Sequence, residues 1–196
     1  MLRIGLTGSI ATGKSTVLDA FSALGVPVYS ADAAVHELYS GEAVPAIETL
    51  FPGVIRDGVV DRAALGQHLA NAPDRVAELE SIIHPLVREK AYGFFDMAEA
   101  QGSDIAVIEV PLLFETGSKY PVDYVIVTHC PDTEQKRRAM ARPGMTEEKF
   151  ALMLGRQIPQ AEKVARADFT VDTGGTIASS REQVAEILQT LRAKAE

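Results

Sequence analysis

Short runs of apolar, often β-branched residues alternate along this chain with longer stretches whose apolar positions recur every three to four residues. Leu2-Arg3-Ile4-Gly5-Leu6-Thr7 predicts a first strand, and Lys14 to Leu24 a helix stopped by Gly25. Val26-Pro27-Val28-Tyr29 predicts a second strand. Ile105 to Val110 and Tyr124 to Thr128 are nearly continuous apolar runs, as expected where helices cover both faces of a parallel sheet. Phe169-Thr170-Val171 predicts a short fifth strand. Ser180 to Lys194 predicts a closing helix, with Val184, Ile187, Leu188 and Leu191 on its inner face and Ser180 with Gln183 as a capping box. The alternation implies an α/β fold: a five-stranded parallel sheet flanked by helices, binding ligands at the carboxyl ends of its strands.

Between the second and third strands lie roughly 70 residues, far more than a plain crossover requires. Helical spacing marks Ala33 to Tyr39, Arg62 to Leu69 and Asp74 to about Gln101, with Asp61 and Asn71 as cap or turn residues and Asp57-Gly58 as a tight turn. Residues 32–101 therefore read as a helical insertion that builds a substrate pocket beside the sheet. The plainer alternative is an elaboration that only stabilises.

A length of 196 residues suits one domain carrying such an insertion, and 46% hydrophobic with 23% charged residues excludes wholesale disorder. No apolar run approaches the roughly 18 residues of a membrane-spanning helix. The opening MLRIGLTGS reads as a buried strand rather than a signal peptide, so the cytoplasm is the expected compartment. The single cysteine, Cys130, excludes an internal disulfide or Cys-based zinc site and reads as a buried, inert thiol. His36, His68 and His129 lack metal-like spacing. A net charge of −8 argues against nucleic-acid binding through bulk electrostatics. Yet residues 136–166 hold eight basic against three acidic residues, a local +5 that points to a small, highly anionic ligand.

Gly8-Ser9-Ile10-Ala11-Thr12-Gly13-Lys14-Ser15 satisfies G-x-x-x-x-G-K-[ST] between a strand and a helix. The glycines let backbone N–H groups close around phosphate oxygens, and the helix start aims its positive end at the same anion. Lys14 reaches the β- and γ-phosphates and the Ser15 hydroxyl suits Mg²⁺. A guanine-reading Asn-Lys-x-Asp element is absent, since the one asparagine, Asn71, precedes alanine. A small kinase remains, with residues 134–158 and the basic Arg138 and Arg142 as a lid over the transferring group. Asp32, directly after the second strand, is the candidate base for the acceptor hydroxyl, or else an N-cap. Glu109, at the end of the third strand, is either an acid holding a magnesium-bound water or a structural hydrogen-bond partner.

The run Ile4 to Thr16, Ala31-Asp32, His84-Pro85-Leu86-Val87-Arg88, Val110-Pro111-Leu112-Leu113-Phe114-Glu115, Gln135 with Arg138 and Arg142, Gln157-Ile158-Pro159, Lys163 and Arg166-Ala167-Asp168-Phe169 together resemble the dephospho-coenzyme A kinase family. The resemblance implies a P-loop small-molecule kinase over residues 1–196 that passes the γ-phosphoryl of ATP to dephospho-coenzyme A with Mg²⁺, without nucleic-acid or membrane partners. It implies ATP contacts at Gly8, Ala11, Thr12, Gly13, Lys14, Ser15 and Thr16, and catalytic roles for Asp32, Lys14, Arg138 and Arg142. Acceptor contacts are implied at Asp32, His84, Arg88, Leu113 and Glu115. Four positions depart from the family pattern: Ser30 and Glu109 stand where Asp is common, Met153 where Arg is frequent, and Thr173 where Asn is frequent. A nucleoside or nucleotide kinase with another acceptor is the alternative enzyme, and a nucleotide-dependent binding module the non-enzyme alternative.

Overall fold

The first apolar run forms β1 (Leu2–Gly8), which lies at the centre of a five-stranded, wholly parallel sheet. The computed structural model describes residues 1–115 and 120–195. Across the sheet the order is β2 (Val28–Ser30), β5 (Ile105–Glu109), β1, β6 (Tyr124–His129) and β7 (Phe169–Asp172). Ile4 pairs with Val107 on one side and Tyr124 on the other. Side chains at every second position therefore share a face. Ile4, Leu6, Val107 and Ile126 pack in one buried cluster with Val17 and Phe21 of α1 (Lys14–Ala23), and with Val184 and Leu191 of the last helix (Ile177–Ala195). Burying each such side chain contributes about 1.5–3 kcal/mol, which is what holds β1 and its following loop at a fixed height.

At its C-terminus α1 closes where Gly25 foretold, with Leu24 and Gly25 donating to the carbonyls of Phe21 and Ser22 at 3.1 and 3.0 Å. The last helix differs from expectation. It begins at Ile177, and Thr176 caps it by accepting the Ser179 N–H at 3.1 Å, so Ser180 sits one turn inside. Gln183 caps nothing; its amide bonds both backbone groups of Asp172, at 2.9 and 2.8 Å, and ties the helix to β7.

Residues 31–94 form a second compact unit, the first comprising Met1–Ser30 and the chain from Phe95 on. The second unit contains α2 (Ala31–Leu38), α3 (Val44–Leu50), β3 (Ile55–Arg56), β4 (Val59–Val60), α4 (Arg62–Asn71), a 3-10 turn (Pro73–Arg75) and most of α5 (Val76–Ala100). It is thus not wholly helical: Asp57 and Gly58, at φ 50° and 78°, make a two-residue turn that pairs Ile55 with Val60. Asp61 caps α4 by accepting from Ala63 and Ala64 at 2.9 and 3.0 Å, and those backbone bonds hold its carboxyl below the usual range. Asn71 is the last residue of α4 and caps nothing. Arg75 donates to the Leu50 carbonyl at 2.7 Å and stacks 4.5 Å above the buried Phe51 ring, closing α3.

After β6 come α6 (Asp132–Met140), α7 (Glu147–Gly155) and α8 (Gln160–Ala165), which carry the basic segment. Among the described residues no helix is long and apolar enough to cross a membrane.

Candidate active site

At the carboxyl end of β1 the chain turns through Gly8, where a Cβ would collide with the Thr128 hydroxyl and lie 2.8 Å from the Thr128 carbonyl oxygen. The Thr12 hydroxyl donates to the Ser9 carbonyl at 2.8 Å and lies 2.8 Å from that of Thr128, pinning the loop to β6. Gly13, at φ 83°, precedes α1, and Ala11 adopts φ 61° although it carries a Cβ. A left-handed alanine costs about 1–2 kcal/mol, so its surroundings must impose it. The Lys14 ammonium donates to the carbonyls of Gly8 and Ser9 at 3.0 and 3.2 Å, spanning the mouth of the loop. Ser15 and Thr16 open α1, Ser15 exposed and Thr16 half-buried. The residues expected to hold ATP thus form one continuous turn.

Two of the departures from the family pattern meet each other at the neighbouring strand end. Ser30 pairs in register with Glu109, and its hydroxyl donates to Glu109 Oε2 at 3.0 Å. Glu109 is buried, and an acid at position 30 would set two carboxylates side by side where serine supplies a donor. Farther along, Lys163 is fully buried and its ammonium contacts Glu115 Oε1 at 2.6 Å, which also accepts the Ile158 N–H at 3.1 Å. Glu115, expected on the acceptor, is therefore held inside the sheet unit, and removing either partner would leave a buried charge at a cost of about 3–5 kcal/mol. Leu113 is buried in the same segment.

Acids outside the basic segment, Glu134 and Glu115, offset part of its +5, and acids inside it, already in that count, pair with further bases. Lys136 pairs with Glu147 at 2.9 Å, Arg166 with Glu162, and Lys163 with Glu115. Arg137 and Arg138 share Glu134 at 2.6 and 2.7 Å, which drives that carboxyl down to about 2. Arg138 also donates to Thr173 Oγ1 and O at 3.1 and 2.6 Å, while the Thr173 hydroxyl lies 2.8 Å from the Thr12 carbonyl. Thr173 is buried here, joining α6 to the phosphate-loop turn. Arg142 is exposed and, among the described residues, enters none of these ion pairs. Cys130 is buried, and burial pushes its thiol up, as an inert role requires.

In the second unit, Asp32 lies in the first turn of α2, which begins two residues earlier than the sequence suggested, so it is not the N-cap. It lines a cavity of about 430 Å³ with Tyr39, Arg62, Leu65, Leu69 and Leu79. The Arg62 guanidinium lies 5.4 Å from the Tyr39 ring centroid. Burial raises the Tyr39 phenol, with the Arg62 charge pulling the other way. Neither residue stood out in the sequence: the only local signal was that Arg62 follows the Asp61 cap, and the cavity is assembled from three helices. His84 and Arg88 sit one turn apart on α5, half-buried and outside the cavity lining. His84 is mid-helix, and α5 runs through Pro85.

The sequence profile of the family described as Dephospho-CoA kinase matches residues 2–188. A protein of Rhizobium meliloti (strain 1021) named Dephospho-CoA kinase is 50% identical over 193 residues, 98% of this chain and 100% of that protein. Among solved structures, TT1252 from Thermus thermophilus superposes with a TM-score of 0.82 at 29% identity, over 96% of each chain. The dephospho-CoA kinase from Campylobacter jejuni superposes with a TM-score of 0.76 at 26% identity, over 99% of this chain and 98% of that one.

Proposed function

The chain belongs to the dephospho-CoA kinase family, and on that premise we propose that it transfers the γ-phosphoryl of ATP to the ribose 3′-hydroxyl of dephospho-coenzyme A, giving coenzyme A and ADP. The observation that carries the reading is the match to that family over residues 2–188 on a chain whose central strand ends in an intact phosphate loop. The reaction draws on ATP, and the cytoplasm is its natural site.

Phosphoryl transfer asks a protein for positioning and for charge to meet the negative oxygens, with little covalent work. Lys14 leaves the Gly8 and Ser9 carbonyls to contact the β- and γ-phosphate oxygens, and the turn from Gly8 to Thr16 holds the triphosphate. Asp32 accepts the proton of the acceptor hydroxyl or orients it. β2 ends at Ser30, at the same carboxyl edge where β1 ends at Gly8, and Asp32 follows two residues later. Arg142 supplies lid charge, and Arg138 fixes the turn around Thr173. His84 and Arg88 serve the anionic acceptor from α5.

Mg²⁺ fits this site. Ser15 offers an exposed hydroxyl and Glu109 a carboxylate, and among the described residues no cluster of three or more acids, histidines or cysteines forms an all-protein cage. That donor set suits a hard ion carried in by phosphates, which Ser15 and Glu109 would hold. When bound, the ion offsets charge on the β- and γ-phosphates.

An ADP-release assay against dephospho-coenzyme A, AMP, CMP and nucleosides tests the reading. Turnover with dephospho-coenzyme A well above the others is expected; turnover of CMP with silence on dephospho-coenzyme A overturns it. If the cavity beside Asp32 receives the acceptor, Arg62→Ala raises the KM for dephospho-coenzyme A at least about tenfold and leaves that for ATP unchanged. Equal KM values in parent and variant would remove the cavity from the acceptor's path.

A further inference from the structure

Both backbone polar groups of Ile10, inside the phosphate loop, are taken by side chains that arrive from residues 134–158. The Ile10 N–H donates to Gln157 Oε1 at 3.0 Å, and Gln135 Nε2 donates to the Ile10 carbonyl at 2.8 Å. The two amides are oriented by what they meet, since an N–H needs an acceptor and a carbonyl a donor. Gln135 is 4% exposed on the inner face of α6, where a polar side chain persists only with a partner. Gln157 follows α7, its own N–H bonded to the Leu154 carbonyl at 2.9 Å. The side chains of Ile10 and Ala11 complete the attachment, packing in a small buried cluster with Ala139 of α6 and Phe150 of α7. The next residue after Ile10 is the left-handed Ala11 at φ 61°. A strained turn lasts only where neighbours over-determine it, and these contacts are the neighbours.

We propose that Gln135 and Gln157 are positioning residues for the triphosphate: through Ile10 they hold the phosphate loop in its strained turn and fasten it to the helix pair α6–α7. The segment bearing Arg138 and Arg142 is thereby tethered to the loop, and the lid expected over residues 134–158 is anchored at its base. This rests on the reading of the loop as the ATP site, but not on the identity of the acceptor.

Substitution by glutamate separates the hydrogen bonds from charge, because Gln135→Glu and Gln157→Glu add the same charge to opposite sides of Ile10. The carboxylate introduced by Gln157→Glu still accepts from the Ile10 N–H, whereas the one introduced by Gln135→Glu sets an acceptor against the Ile10 carbonyl. Gln157→Leu removes the bond without charge. ATP binding to the full chain with MgCl₂ is read by calorimetry without acceptor, beside the KM of each substrate and the Tm. Gln135→Glu and Gln157→Leu are expected to weaken ATP binding about tenfold, the loss of one buried hydrogen bond. Gln157→Glu is expected to stay within about threefold of the parent, and the acceptor KM to hold in all three. Should Gln135→Glu fail to fold, the Gln157→Leu and Gln157→Glu pair decides alone. Equal weakening by both glutamates, or ATP binding by Gln157→Leu as tight as the parent's, overturns the proposal while leaving the kinase reading intact. A parent chain that binds no ATP overturns both.

Discussion

Asp32→Asn is expected to lower kcat by roughly 10²–10⁴-fold, the range a general base contributes, while ATP affinity changes little. Asparagine keeps the shape of the side chain and still accepts a hydrogen bond from a hydroxyl, so the cavity lined by Tyr39, Arg62 and Leu65 stays as it is. What it cannot do is take the proton. The acceptor KM should therefore move by less than about threefold, and the loss should fall on kcat. In a loose transition state the hydroxyl loses its proton late, and a carboxylate that merely orients it contributes less. A loss near the lower end of the range would mark orientation, a loss near the upper end proton transfer. An unchanged kcat would remove Asp32 from the mechanism. Single-turnover ADP formation is the measurement, since product release then does not mask the chemical step.

The parts of this fold that the sequence discloses are those where one local pattern carries the signal. Ile105 to Glu109 is apolar almost throughout because helices cover both faces of its sheet, and Gly8 to Ser15 announces its own turn through residues that only that turn requires. The parts it conceals depend on partners far along the chain or on elements too short for periodicity. β3 and β4 have two residues each, so only the Asp57-Gly58 turn was visible and not the hairpin around it. α3 has seven residues and opens with Pro45 in its first turn, too few for a helical stripe to emerge. α6 reads only as part of a basic lid, yet its buried face consists of Gln135 and Ala139, and Gln135 satisfies the backbone of Ile10. The +5 segment looked free for ligand because Glu134 and Glu115, which neutralise part of it, lie outside the window counted. Asp32 was legible as a position after a strand; Tyr39 and Arg62, which share its cavity, were not, being brought there by three helices.

Lys14→Ala is expected to damage ATP binding and turnover together, and the geometry gives a reason for each. One preorganised cation lost from a transferring phosphoryl group costs about 10²–10³ in kcat, and the same ammonium contributes to holding the ground-state triphosphate, so affinity should fall by about ten- to a hundredfold as well. There is also a loss before any nucleotide arrives. The ammonium bridges the Gly8 and Ser9 carbonyls, so its removal also takes away two bonds that hold the loop's shape before binding. Lys14→Arg keeps the charge but replaces a compact point donor with a planar fork, which does not fit a turn so narrow that a Cβ at Gly8 would strike Thr128. Arginine should therefore rescue ATP binding only in part and kcat hardly at all. Calorimetry with ATP and the ADP-release rate read the two losses separately. A Lys14→Ala chain that still turns over at a parental rate would contradict the assignment of this turn as the phosphate loop, whatever the remaining resemblance to its relatives.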